Sequence, residues 1–151
     1  MRQVVREFQQ RAEQADFVAV IDDEGSHTAR ELLAEAGRLA EAMFPGGPGG
    51  GTVMLQADNS WRTVAGSLAV GLRGGVLAVV NRHTTQAEFA AAWEDIRPDA
   101  VVAEASASDE WGLPELLPGP VDAVQAKVAS RSRIFAYATD ACTMPCSLRA
   151  K

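Results

Sequence analysis

Two short polar clusters hold the side chains of this chain best placed to touch a ligand: Asp58-Asn59-Ser60-Trp61 and Asn81-Arg82-His83-Thr84. Each follows an apolar run that reads as a strand and precedes a segment that reads as a helix. In open parallel sheets, small molecules bind beyond the carboxyl ends of the strands, so two such loops would line one rim. Amide, indole and imidazole groups there could hold an organic ligand, which makes Asn59, Trp61, Asn81 and His83 the substrate-binding candidates. The same residue types also start helices by accepting backbone N–H bonds. Both clusters therefore have a purely structural explanation as well.

Other chemistry is poorly served. His27 and His83 are the only histidines, and neither has a cysteine or carboxylate at zinc-ligand spacing, so no metal site is expected. Cys142 and Cys146 make at most half of a structural zinc site and are expected as free thiols in a reducing compartment. Ser60, His83 and Asp58 could be assembled into a nucleophilic set, but no Gly-x-Ser-x-Gly elbow accompanies them. Pro45–Gly51 is rich in glycine, yet a strand-like Thr52-Val-Met-Leu55 follows it in place of a Lys-Ser/Thr pair and a helix. That segment is expected to be a flexible connector, and no catalytic residue is assigned.

The elements that position the clusters follow from hydrophobic spacing. Val4, Val5, Phe8 and Ala12 recur at helical intervals over residues 3–14. Phe17–Ile21 is a short apolar strand ended by the turn residues Asp22-Asp-Glu-Gly25. Thr28-Ala-Arg-Glu31 has the form of a capping box. The helix it opens would bury Leu32, Leu33, Ala36, Leu39, Ala40 and Met43 or Phe44, with Arg30, Glu31, Glu35, Arg38 and Glu41 outward. Strand Thr52–Gln56, helix Trp61–Leu72, strand Val76–Val80, helix Gln86–Ile96 and strand Ala100–Ala103 follow in alternation. A short helix near Glu110–Leu117 and a strand at Arg133–Tyr137 complete the pattern. Alternation of this kind requires crossovers and hence a parallel sheet. The expected fold is a single α/β domain with a mostly parallel sheet of four or five strands and helices on both faces.

Composition sets the outer bounds. With 47% hydrophobic and 23% charged residues the chain has enough apolar side chains to fold around one core. Residues 1–126 carry nine Arg against nineteen acids, whereas 127–151 carry five basic residues against Asp140 alone. An acidic body argues against a nucleic-acid partner, which needs a basic face. The charged N-terminal segment lacks the apolar core of a secretory signal, and no apolar run approaches membrane-spanning length. A cytoplasmic location and no membrane partner are expected.

The order of the pieces resembles the opening of the adenylate-forming (AMP-binding) superfamily of acyl-CoA synthetases, luciferases and peptide-synthetase adenylation domains. The resemblance rests on Val18–Leu32 with Ala36-Gly-Arg-Leu-Ala40, then Gly51–Leu55 with Asn59-Ser60, Gly71–Val76, Asn81–Phe89 and Arg97–Val102. It implies a loop of the form Tyr-Thr-Ser-Gly-Thr-Thr-Gly-x-Pro-Lys that embraces ATP phosphates. At that place stands Tyr137-Ala-Thr-Asp-Ala-Cys-Thr-Met-Pro-Cys146, so Tyr137, Thr139, Thr143 and Pro145 mark a degenerate phosphate loop. Asp140 replaces a glycine with a charge that repels triphosphate, and Cys146 replaces the cationic lysine. Residues 1–137 then read as a truncated N-terminal subdomain and 138–151 as an irregular basic tail. The resemblance implies a relative of AMP-forming acyl-CoA or acyl-acid ligases that does not adenylate alone. Such a chain would be non-catalytic or act with a complementary chain or as a homo-oligomer. It would need no cofactor by itself, and ATP with magnesium if ligase chemistry is retained. The alternative is a repurposed binder of a small carboxylic acid or acyl group that uses the strand-end loops without ATP.

Overall fold

The computed structural model describes residues 1–44, 49–111 and 133–137, the last of these by backbone alone. Helix α1 (Arg2–Gln14) leads into a hairpin of β1 (Val18–Asp22) and β2 (Gly25–Thr28), followed by α2 (Ala29–Met43). Next come β3 (Thr52–Ala57), α3 (Trp61–Arg73), β4 (Val76–Asn81), α4 (Gln86–Ile96), β5 (Ala100–Glu104), the short α5 (Ala105–Glu110) and β6 (Arg133–Tyr137). The helix starts obey local chemistry. Thr28 and Thr85 each accept the backbone N–H of the third helical residue, Glu31 and Glu88, whose carboxylates accept the threonine N–H in return. Gly74 ends α3 in the left-handed region at φ 69°, which glycine adopts without steric cost.

β4, β3, β5 and β6 form one parallel sheet in that order. The first strand does not join it. β1 pairs antiparallel with β2 as a separate two-stranded hairpin, with Ile21 opposite Ser26 and Asp22 opposite Gly25. Sequence spacing reveals the reversal at Gly25 but not the sheet to which a strand belongs.

Alternation along the strands splits the core in two. Val53, Leu55, Ala100 and Val102 face α2 and α3, against which Val5 of α1 also packs. Met54, Val80, Val101 and Ala103 face the other way, against Phe89 of α4 and Ala107 and Trp111 at α5. Helices therefore cover both faces, as the near-continuous apolar strands require.

Three expectations need correction. On α1 the inward residues are Val5 and Ala12, with Phe8 half-buried, while Val4 is 63% exposed. Glu35 is buried on α2, where its carboxylate is satisfied by Arg38 one turn on. A short helix, α5, occupies Ala105–Glu110 ahead of the place where sequence spacing put one, and Trp111 just beyond it packs on the α4 side of the sheet. Residues 112–117 lie outside the described set. The end of the glycine-rich connector is packed: a Cβ on Gly50 would sit 2.6 Å from the Gly75 nitrogen, so two backbones meet where only glycine fits.

Candidate functional site

All four parallel strands end on one rim, and the strand order contains a reversal. The chain leaves β3 toward β4 on one side and then crosses back to β5 on the other. Right-handed crossovers in opposite directions put α3 and α4 on opposite faces. The loops after β3 and β5 consequently part, which opens a crevice between the ends of these two strands. The structure has a shallow groove at this switch point. Leu55, Val102 and Ala103 form its apolar floor, and Gln56, Asp58, Arg62 and Glu104 supply its polar wall.

The polar wall is held by local bonds. The Glu104 N–H donates to Gln56 Oε1 at 2.7 Å and bridges β5 to β3 at the mouth. Asp58 Oδ1 accepts from the Ser60 N–H, the Ser60 hydroxyl and the Thr63 hydroxyl at 2.9, 2.5 and 2.9 Å. Partial burial works to raise the Asp58 pKa, but these donors and the nearby Arg82 charge outweigh it and hold the carboxyl below its ordinary value. Ser60 caps α3 by accepting the Arg62 N–H, so its hydroxyl serves the fold.

A second polar cluster ties the hairpin to this rim. Asp22 Oδ2 accepts the Trp61 N–H at 2.8 Å, and Asp22 Oδ1 lies 3.1 Å from His27 Nε2. The His27 ring packs on Trp61 at 5.2 Å between centroids, and the Arg62 guanidinium lies over the indole at 4.9 Å. Glu24 completes the set by pairing with Arg62 and accepting the Trp61 indole N–H at 3.2 Å. The Arg62 bond is the main reason that the Glu24 carboxyl sits below its usual range. The turn Asp22–Gly25 thereby fixes the groove's only described guanidinium.

The sequence candidates are distributed unevenly over this arrangement. Asn59 is exposed on the loop after β3. Asn81 and His83 are exposed on the loop after β4, where Asn81 Oδ1 accepts the His83 N–H at 2.9 Å. Trp61 is 2% exposed, with its ring in contact with His27 and Arg62, so it supports the rim from below. Tyr137 is the last residue of β6, at the same rim. Thr139, Thr143 and Pro145 lie outside the described residues. Sequence reasoning passed over Gln56, Arg62, Glu104, Asp22, Glu24 and His27. The signal for Arg62 lay beside the cluster already noted, since α3 begins there; the remaining five required the strand order.

The profile of the family described as AMP-binding enzyme matches residues 8–141, and the chain belongs to that family. No curated protein sequence matches it. Among solved structures it is similar to apo MatB from Rhodopseudomonas palustris, with 25% identity and a TM-score of 0.65 over 76% of this chain and 23% of that one. A benzoate CoA ligase from Burkholderia xenovorans LB400 shares the fold at 19% identity and a TM-score of 0.65, over 86% of this chain and 24% of the other. VinN, solved in complex with 3-methylaspartate, does so at 20% identity and a TM-score of 0.65, over 89% of this chain and 33% of its own. The chain thus spans between about a quarter and a third of the length of these relatives.

The family normally uses ATP and magnesium. The described residues include no lysine, and no three His, Cys, Asp or Glu side chains among them converge as a metal site. The groove presents the carboxylates of Asp58 and Glu104, and its guanidinium is engaged by Glu24. Among the described residues no helix is long and apolar enough to cross a membrane.

Proposed function

We propose that this chain supplies the N-terminal portion of an AMP-forming acyl-CoA or acyl-acid ligase and does not form an acyl-adenylate by itself. The family match over residues 8–141 carries this reading. The sequence Tyr137–Cys146 supports the second half, since a carboxylate replaces a glycine and a thiol replaces the lysine where phosphates would be held. In this reading Asn59, Asn81 and His83 face the acyl or nucleotide ligand from the rim, and Trp61 braces the loop that carries Asn59. A complementary chain, or a second copy, contributes the groups that the rim lacks. Exposed apolar side chains favour such a partner: Val18 and Ile21 on the hairpin are 52% and 76% exposed, and Val76 and Val79 on the edge strand β4 are each 62% exposed.

The test is isothermal titration of the purified protein with ATP-Mg and, separately, with a panel of carboxylic acids and acyl-CoAs, after its oligomeric mass has been measured. The expected result is no ATP isotherm for the chain alone. Saturable ATP binding would overturn the reading of residues 137–146. An acid or acyl-CoA isotherm without ATP binding would favour the second reading, a repurposed acyl binder that uses the strand-end loops.

A further inference from the structure

The loop that presents Asn81 and His83 has little of its own to hold it. Asn81, Arg82 and His83 are exposed, and the loop's internal bonds are short-range: His83 N–H to Asn81 Oδ1 at 2.9 Å and Thr84 N–H to the Asn81 carbonyl at 3.0 Å. Among the described residues, one side-chain hydrogen bond reaches it from another element. The indole N–H of Trp111, just past α5, donates to the Thr84 carbonyl at 2.9 Å.

That donor is unusually well fixed. Trp111 is 1% exposed, and its ring stacks on Phe89 with centroids 4.4 Å apart and planes 15° apart. Phe89 is itself fully buried in the first turns of α4, and its N–H bonds the Thr85 carbonyl. The indole therefore touches both the end of the rim loop and the helix that the loop opens. A buried Trp N–H normally finds an acceptor; here the acceptor belongs to the segment that sets where Asn81 and His83 stand. We propose that Trp111 is a positioning residue for the Asn81–Thr84 rim loop, so that the downstream end of the described domain sets the geometry of the ligand-facing residues. The word ligand-facing rests on the function proposed above, whereas the mechanical link between Trp111 and the loop does not.

Hydrogen exchange on the full-length protein tests the link without any ligand. Trp111→Phe keeps an aromatic ring against Phe89 and removes the donor together with part of the buried ring volume, a loss that the Trp93→Phe control also carries. Amides of Thr84 and Thr85 should then exchange on the order of tenfold faster, the effect of losing one buried bond. Those of Met54 and Leu55 in the central strand should change only as far as overall stability does. Trp93→Phe is the control, because Trp93 packs on Phe89 at 6.0 Å from within α4. Loop exchange that rises no more in Trp111→Phe than in Trp93→Phe, or that merely follows global stability, overturns the proposal. If Trp111→Phe does not fold, the wild-type indole N–H decides: slow exchange of the Trp111 indole proton supports the bond, and exchange as fast as that of an exposed indole refutes it. Saturable ATP binding by the chain alone would overturn the proposed function and leave this result standing.

Discussion

Asp22 is the most consequential single side chain in the join between hairpin and rim. Its carboxylate is 7% exposed and accepts three bonds: from the Trp61 N–H at the start of α3, from the Glu24 N–H in the turn, and from His27, whose side chain is 11% exposed. Asp22→Ala leaves the Trp61 N–H buried without an acceptor, at about 1–3 kcal/mol. It also removes a negative charge from a helix N-terminus, worth about 0.3–1 kcal/mol. The Glu24 N–H is in an exposed turn, where water replaces the bond. The total is about 1.3–4 kcal/mol, which at a urea slope of about 2 kcal/mol per M lowers the unfolding midpoint by roughly 0.7–2 M. Tryptophan fluorescence follows the transition, because Trp61 sits inside the cluster. A midpoint within about 0.3 M of wild type would refute the reasoning. The pH dependence gives an independent check. Burial works to raise the Asp22 pKa, but the Trp61 and Glu24 N–H groups and His27 outweigh it, so the folded value is lowered. A carboxyl lowered on folding contributes its stability in full above the unfolded value and loses it as pH falls through the folded one. The difference between wild type and Asp22→Ala should be level near neutrality and shrink below about pH 4. A difference that grows on acidification would contradict the assignment.

Gly71→Ala would bring a Cβ to 2.4 Å from Val5 Cγ2 and so push α1 off α3, at about 1–3 kcal/mol, read as a drop in Tm. Arg97 ends α4 at φ 48°, so Arg97→Gly should raise stability by about 1 kcal/mol, and an unchanged or lower Tm would count against strain at that position. Thr85→Ala removes the cap of α4 and should cost about 1 kcal/mol by urea titration. Glu24→Gln should cost under about 1 kcal/mol, because the Glu24 side chain is 48% exposed, and the loss should shrink in high salt.

Much of the fold was legible because its signals are local. The capping box at Thr28, the apolar stripe of α2 and the continuous strand Val76–Val80 each specify their element within a few residues. The same locality explains the errors. Val4 and Val5 both fit a helical period, and only the position of α3 decides that Val5 packs beside Gly71 while Val4 faces solvent. Glu35 reads as an outward charge until Arg38 is seen to satisfy it. Phe17–Ile21 reads as one more sheet strand, yet it is as consistent with a hairpin, since nothing in an apolar run names its partner.

The site was legible only in outline, for a topological reason. Loops after parallel strands share a rim whatever the strand order, so Asn59, Asn81 and His83 could be placed on one rim from alternation alone. Where the rim opens depends on which strands are neighbours. β3 lies between β4 and β5, so the two crossovers run in opposite directions and the groove falls between β3 and β5, not between the two loops that carry the polar clusters. Gln56, Glu104 and Arg62 reach it because their backbones end or begin there. Trp61 shows the complementary case: an aromatic residue in a polar loop looks like a ligand platform in sequence, but its indole is already occupied by Glu24, His27 and Arg62. An aromatic side chain that is buried, with its polar atom bonded and its ring in contact with two neighbours, has little left to offer a ligand. What it can do is fix the loop beside it, and here that loop carries Asp58 to the mouth of the crevice.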